Sequence, residues 1–465
     1  MPNKLEDRKK VIVAMSGGVD SSVAAVLLKK AGFDVIGVFM KFWSSLRGST
    51  QIYTDKKADL YRFENRCCSS EAENRARSVA EKLKIPFYVF NFEKDFRKKV
   101  VDYFLSELKA GRTPNPCVVC NKEIKLGLFI EKAMAMGADY VATGHYCKIK
   151  NPARIGYAEG VAGGQKSKIK IKESFRDDLY PLLNPPIRWS SDGRRGGGCL
   201  KSQESLGPER SEGSKILNYG YGLLKGRDEN KDQSYFLWKL NQKQLSRILF
   251  PIGGYLKSEV REMARKFNLP TAEAAESQEI CFVRSTMKDF CDINFKPRIG
   301  KIIDTKGNII GEHLGLWFYT IGQRKGINIR DRVSDGLAGL PRRSRAKPVS
   351  VLAGFGEVKA VLPFYVLDKD VKKNILIVTQ NEKDLFRKEM VARDVNWISG
   401  KGPEFPLKVK IKIRYRQEFC PAVIAKGIKQ KEIKVVFASS QKAITSGQSA
   451  VFYRGEELLG GGIIK

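Results

Sequence analysis

Two stretches carry residue types that could do chemistry. "RTPNPCVVCNKE" (Arg112–Glu123) places Cys117 and Cys120 three apart behind a stiff Pro114–Asn115–Pro116 turn. Such a pair could be half of a metal site, a redox couple, or a catalytic thiol with a neighbour. A lone C-x-x-C is weak evidence for a metal, and a paired zinc ribbon is disfavoured because the chain has no second C-x-x-C. The other stretch is "AMSGGVDSS" (Ala14–Ser22), between an apolar strand pattern and an apolar helix pattern. Gly17 and Gly18 let backbone N–H groups approach a phosphate closely, and the helix that follows presents free donors and the positive end of its dipole. Ser16, Ser21 and Ser22 add hydroxyl donors. No Gly-Lys-Ser/Thr follows, so the loop is not of the Walker type. A bare Gly-Gly turn capping a helix would be structural; the full SGGVDSS after a buried strand favours a phosphate.

These residues need a scaffold, and composition bounds it. At 465 residues two or three domains are expected, and 42% hydrophobic residues suffice for real cores. The excess of 84 Lys and Arg over 51 Asp and Glu gives +33, a field that favours a polyanion, most simply nucleic acid. A merely solubilising basic surface is the alternative. No apolar run approaches the roughly 20 residues of a membrane helix, and the charged opening "MPNKLEDRKK" gives no sign of a signal peptide. A cytoplasmic, reducing setting is expected, so the nine cysteines read as catalytic, metal-binding or buried rather than as a disulfide framework. With two histidines, His145 and His313, His-based zinc sites and His-centred hydrolysis are disfavoured.

Strand and helix patterns alternate over the first 145 residues. Strands are expected at Val11–Met15, Asp34–Met40, Pro86–Phe92 and within Asp139–Gly144. Helices are expected at Ser21–Ala31, Glu71–Leu83, near Lys98–Ala110 and near Ile124–Met136. That alternation predicts an α/β fold, a parallel sheet covered by helices, with ligands beyond the carboxyl ends of the strands. Two stretches, about 151–221 and 331–359, have no apolar period and read as insertions. Gln242–Phe267 reads as helix, and the last hundred residues as short strands (Asn374–Thr379, Leu407–Tyr415, Ile433–Phe437, Ser449–Tyr453) suited to a small β-barrel.

SGGVDSS resembles the pyrophosphate loop of the N-type ATP pyrophosphatases, which cleave ATP to AMP and pyrophosphate. Further stretches follow in order: "GRTPNPCVVCNKEIKLG" (Gly111–Gly127), "ATGHY" (Ala142–Tyr146), "GRDENKDQSYFL" (Gly226–Leu237), "ESQEICFV" (Glu276–Val283), "YTIGQRKG" (Tyr319–Gly326), "RYRQ" (Arg414–Gln417) and "GQSAVFY" (Gly447–Tyr453). Together they resemble the tRNA-specific 2-thiouridylase family over nearly the whole chain apart from the insertions. The resemblance implies an adenine nucleotide α-hydrolase-like catalytic domain over 1–243, continued by about 274–298, which carries Cys281. A central tRNA-binding domain over 244–362 and a C-terminal β-barrel over 363–465 would follow.

It also implies ATP with Mg2+ as cosubstrate, adenylation of the C2 oxygen of a wobble uridine, and sulfur from a cysteine persulfide. Cys281 matches the persulfide carrier, and Cys120 the partner thiol that acts as nucleophile or resolves the persulfide. Ala14, Met15, Ser16, Gly17, Gly18, Val19, Asp20 and Ser21 match the ATP loop, with Met40 and Gly144 beside it. Asn115, Pro116 and Cys117 match the segment that meets the target base. His145, Lys231, Asp232, Gln233, Arg414, Tyr415 and Gln448 match tRNA contacts. The implied partners are the tRNA anticodon loop and a persulfide carrier protein or cysteine desulfurase, with no membrane; the expected state is a monomer.

The chain departs from the family at Cys117, where better-known members carry aspartate. Cys117, Cys120 and Cys281 could converge, and three thiols with an open coordination position would suit a 4Fe–4S cluster. The persulfide relay and the cluster route both stay open. Cys67 and Cys68 read as helix-start packing, Cys199 as incidental, and Cys147, Cys291 and Cys420 as core or surface residues. Rival readings are another pyrophosphatase, such as an amidotransferase-coupled synthetase, and a non-catalytic RNA-binding or iron–sulfur relative.

Overall fold

The computed structural model describes residues 8–42, 69–151, 220–275, 280–283, 286–329, 363–427, 429 and 431–465. Cys67, Cys68, Cys199, Glu276–Glu279 and nearly all of both insertions lie outside the described residues.

The parallel sheet forms as the alternation requires. Its order is β3 (Phe87–Asn91), β2 (Asp34–Lys41), β1 (Lys10–Ala14), β4 (Tyr140–Ala142), β7 (Ile248–Leu249), with every neighbour parallel. Successive side chains of β1 point to opposite faces, so Val11 and Val13 enter one apolar layer while Ile12 and Ala14 enter the other. Helices α1 (Val19–Lys30) and α2 (Ser70–Lys82) cover the first face. The second is covered by two composite helices, 93–109 and 116–135, each carrying a π-helical stretch. The second starts at Pro116, eight residues before the expected start at Ile124, because proline at the first helical position loses no hydrogen bond. Among the described residues no helix is long and apolar enough to cross a membrane.

Two expectations are corrected here. The helix read over Gln242–Phe267 is a single turn (Gln242–Leu245), the edge strand β7 and a helix at Lys257–Lys266. Pro251, Gly253 and Gly254 interrupt it, removing a donor and loosening the backbone. Since β7 joins the parallel sheet and Lys257–Lys266 packs on α1, the catalytic unit runs past residue 243. Likewise, the strand expected at Asn374–Thr379 is not part of the barrel. β10 (Tyr365–Asp370) and β11 (Ile375–Thr379) pair instead with β8 (Gly300–Ile303) and β9 (Ile309–His313) in a four-stranded central sheet. A strand's pattern shows that it pairs, but not with which partner.

The barrel begins at Phe386. Its order is β12 (Phe386–Trp397), β15 (Ile433–Lys442), β14 (Cys420–Lys426), β13 (Leu407–Lys412), β16 (Ser449–Arg454) and β17 (Glu457–Ile464), and β17 pairs back to β12. The catalytic chain contributes a hairpin to the same sheet, β5 (Cys147–Lys150) and β6 (Gly222–Lys225), on β17. The first insertion leaves and returns across the Lys150–Gly222 pair. Tyr235 and Trp238 tie the units further: the Tyr235 hydroxyl donates to the Ser449 carbonyl (3.0 Å) and Trp238 Nε1 to Ser449 Oγ (3.0 Å).

Candidate active site

The phosphate loop lies at the carboxyl end of β1. Strand order reverses between β1, which continues to β2, and β4, so this is the switch point where parallel sheets bind ligands. Gly17 has φ +72°, and a Cβ there would stand 2.1 Å from the Ala72 carbonyl oxygen of α2. A Cβ on Gly144, just past β4, would stand 2.8 Å from Ser21 N. Both positions need glycine because another backbone passes too close. Ser16 N donates to Ser21 Oγ (3.1 Å), and Ser22 Oγ donates to the Gly18 carbonyl (2.8 Å), which knits the loop to the first turn of α1. No side chain caps α1; Gly18 is its N-cap. The arrangement presents backbone donors and a helix dipole to an anion.

Three residues that sequence reasoning missed brace this loop. Lys257 Nζ (2.6 Å) and the Tyr146 hydroxyl (2.7 Å) both donate to Asp20 Oδ1, and Arg75 Nε donates to the Gly17 carbonyl (3.0 Å). Tyr146 sits in the ATGHY stretch; Lys257 and Arg75 have no local signal. Met40 is buried at the end of β2, and the backbone N–H of Met15 donates to the Val38 carbonyl (2.8 Å), holding the start of the loop against β2.

The cysteine turn is held differently. Asn115 is the extended N-cap of the helix that starts at Pro116, Cys117 is half-buried, and Cys120 is buried one turn on. Gln448, from the barrel, donates from Nε2 to the Thr113 carbonyl (2.8 Å), and Thr113 N donates to the Ser446 carbonyl (2.9 Å). Lys369, from the central sheet, donates to the Gly111 carbonyl (3.0 Å). Arg112 pairs with Glu107 (Nε to Oε2, 2.7 Å), and Arg393 of the barrel lies 3.8 Å from the same carboxylate.

Cys281 is half-buried and packs on the apolar cluster that contains Cys120 and Met40. Its neighbour Phe282 meets Phe96 (5.7 Å) and Phe104 (5.4 Å) edge-on, and Phe96 in turn meets Phe42 beyond the end of β2 (5.4 Å). The aromatic contacts therefore carry the Cys281 segment to the carboxyl side of the sheet. Among the described residues no group of three or more His, Cys, Asp or Glu is arranged to hold a metal ion. As placed, Cys117, Cys120 and Cys281 do not fit an iron–sulfur cluster. A magnesium ion travelling with ATP needs only one or two protein carboxylates besides the phosphates. Asp20 is the carboxylate of the loop.

The residues matched to tRNA contacts divide in two. Arg414 is exposed, with one Nη donating to the Ala443 carbonyl (2.5 Å); Tyr415 is half-buried, its ring 4.4 Å from that of Phe236. Lys231 is half-buried. The others are engaged inward. His145 is buried, shares a 2.7 Å hydrogen bond with Thr143 through Nδ1, and burial pushes its pKa down to about 3, with Lys125 adding to the effect. Asp232 is buried and accepts from Gly226 N, Ser234 N and Ser234 Oγ (3.1, 3.1 and 2.8 Å); burial raises its pKa. Gln233 exchanges hydrogen bonds with the Tyr146 backbone, accepting at 3.0 Å through Oε1.

Residues 9–183 and 212–285 match the tRNA methyl transferase HUP domain, 288–338 the tRNA methyl transferase PRC-barrel domain, and 387–464 the aminomethyltransferase beta-barrel domain. The tRNA-specific 2-thiouridylase MnmA of Clostridioides difficile strain 630 is 39% identical over 460 residues, covering 98% of both chains. That of Carboxydothermus hydrogenoformans is 37% identical over 464 residues, again 98% of both. The Geobacillus thermodenitrificans protein of the same name is 36% identical over 467 residues, covering 99% of this chain and 96% of its own. With relatives at this identity aligned almost from end to end, and each of its three domains matched in turn, the chain belongs to the tRNA-specific 2-thiouridylase family.

Proposed function

We propose that the protein is an ATP-dependent tRNA uridine 2-sulfurtransferase acting on the wobble position. The observation that carries this reading is the meeting, at one end of the parallel sheet, of an uncapped glycine-serine phosphate loop with the segments bearing Cys120 and Cys281. The uridine, flipped from the anticodon loop, stacks against the Asn115–Cys117 turn. Its O2 attacks the α-phosphorus of ATP and expels pyrophosphate, which the loop of Ser16–Ser21 receives. Magnesium, when bound, neutralises phosphate charge. The terminal sulfur of a Cys281 persulfide attacks C2, and AMP leaves. The Cys120 thiolate then attacks Cys281 Sγ, the bond between that sulfur and the transferred sulfur breaks, and 2-thiouridine departs. A Cys120–Cys281 disulfide remains, and an external thiol reduces it.

Sulfur reaches Cys281 from a persulfide carrier protein or a cysteine desulfurase. In this reading Lys231, Arg414 and Tyr415 meet the RNA directly, whereas His145, Asp232, Gln233 and Gln448 shape the loops that do so. The test is formation of 2-thiouridine from tRNA, ATP and a persulfide donor. Wild-type protein should produce it with release of AMP and pyrophosphate, and Cys281→Ser and Cys120→Ser should not. Undiminished product from either variant overturns the relay.

A further inference from the structure

A cavity of about 790 Å³ lies where the three domains meet, bounded by the turn at Gly111–Thr113, by β10 and β11 of the central sheet, and by the barrel. Its volume is in the range of small-molecule sites. Five basic side chains line it, against the single acid Asp368. Glu107 already answers Arg112 and Arg393, and Glu432 answers Lys465. That leaves Lys369 and Arg387, neither of which has a carboxylate within ion-pair distance among the described residues. Lys369 Nζ rests on the Gly111 carbonyl (3.0 Å) and one Nη of Arg387 on the carbonyl of Asp384 (2.7 Å). Both cations are thus satisfied by neutral oxygens and retain charge for an anion. Thr113, Thr445 and Ser446 stand in the same lining, the Thr445 hydroxyl donating to the Ala443 carbonyl (2.9 Å), with Ile321, Val371 and Ile377 as an apolar wall.

Cations and hydroxyls suit a phosphate; an apolar wall suits a sugar or base face. We infer that this junction cavity binds a phosphate-bearing nucleotide, donated by the tRNA chain or free in solution. Its tRNA arm rests on the function proposed above. An occupant would touch all three domains at the residues that precede Asn115–Cys117, so filling the cavity fixes the turn that faces the target base. Burial pulls the pKa of Lys369 down to about 8, which still leaves a cation at neutral pH, and a bound phosphate would raise that pKa again.

The test uses full-length protein and is read by binding, not turnover. For the tRNA source, the double variant Lys369→Gln/Arg387→Gln should bind tRNA about tenfold more weakly, and the slope of log affinity against log salt should fall by about 1 for each cation removed. For the free source, tRNA binding stays unchanged, while equilibrium dialysis gives two AMP per wild-type chain and one per double-variant chain. On wild-type protein, amine acylation of Lys369 read by mass spectrometry should be suppressed by tRNA or by AMP. This measurement holds even if the double variant fails to fold. Acylation unchanged by both probes overturns the site, as do unaltered affinity and slope combined with one AMP per chain in both proteins. A protein that binds in this way yet makes no 2-thiouridine overturns the proposed function alone.

Discussion

The phosphate loop and the cysteine turn are both short, glycine- or proline-marked, and set before a helix, yet they are held by opposite means. The loop is fixed mainly from within the catalytic unit: Ser16, Ser21 and Ser22 bond inside nine residues, and Gly17 and Gly144 permit close backbone approach. The turn has few bonds of its own. It is gripped by Gln448 from the barrel, Lys369 from the central sheet and the Glu107 carboxylate shared by Arg112 and Arg393. A local device can form as soon as its strand and helix form. A device assembled from three domains exists only when all three dock, which makes it the natural point at which RNA engagement could control chemistry.

The sharpest way to break this comparison is to attack the loop from within. Gly17→Ala adds a Cβ 2.1 Å from the Ala72 oxygen at φ +72°. The strain should cost about 3 kcal/mol of stability by urea denaturation, with thiolation lost altogether. Wild-type stability would mean that α2 is free to retreat and the loop is not rigid.

A second prediction follows from His145, beside the loop. Its folded pKa of about 3 lies below the ordinary 6.5, so the unfolded chain takes up the proton first. Stability is intact above about pH 6.5 and is lost as pH falls from there toward 3. Between pH 7 and pH 5 this one group should cost about 2 kcal/mol. Denaturation of wild type and His145→Gln at both pH values measures it; equal pH dependence in the two would remove His145 as the cause.

The turn responds to a distant residue. Gln448→Leu deletes the donor to the Thr113 carbonyl and leaves that oxygen unmatched, at a cost of about 1.5 kcal/mol. Thiolation should fall roughly tenfold, while the KM for ATP stays unchanged, since the phosphate loop is untouched. A raised KM for ATP would show that the two regions are coupled more tightly than their contacts imply.

The same contrast explains what was legible in the sequence. SGGVDSS could be read because its own hydrogen bonds lie within nine residues and its close approaches need two glycines, and the β1–α1 unit formed where expected. Three barrel strands, β13, β15 and β16, were legible from the sequence, whereas β14 and β17 were not picked out. What failed was pairing: β11 read as a barrel strand but belongs to the central sheet, because alternation carries no address. β7 was hidden inside an apparent helix because two residues carry no period. At the site, Asn115–Cys120 were picked out by their types, but that the Gln448 amide also holds the turn was not visible, and Lys369, Arg393 and Lys257 gave no signal at all. Their partners lie from 237 to 335 residues away in sequence.

Arg75 tests the comparison most finely. It is a prop from α2, 58 residues from the Gly17 carbonyl it holds at 3.0 Å, and it stands beside Lys257 and Tyr146 on Asp20 as one of three supports that reach the loop from distant parts of the sequence. The contact is modest: the side chain is 31% exposed, and the same guanidinium also pairs with Glu71 within the helix. Exposed charges are largely answered by water when a partner is removed. Arg75→Met should therefore cost under about 1 kcal/mol, raising the KM for ATP about threefold with kcat unchanged. If kcat fell with KM constant, Arg75 would act on the transition state. The loop would then depend on assembly as the cysteine turn does, and the division between a local device and an assembled one would have to be drawn elsewhere.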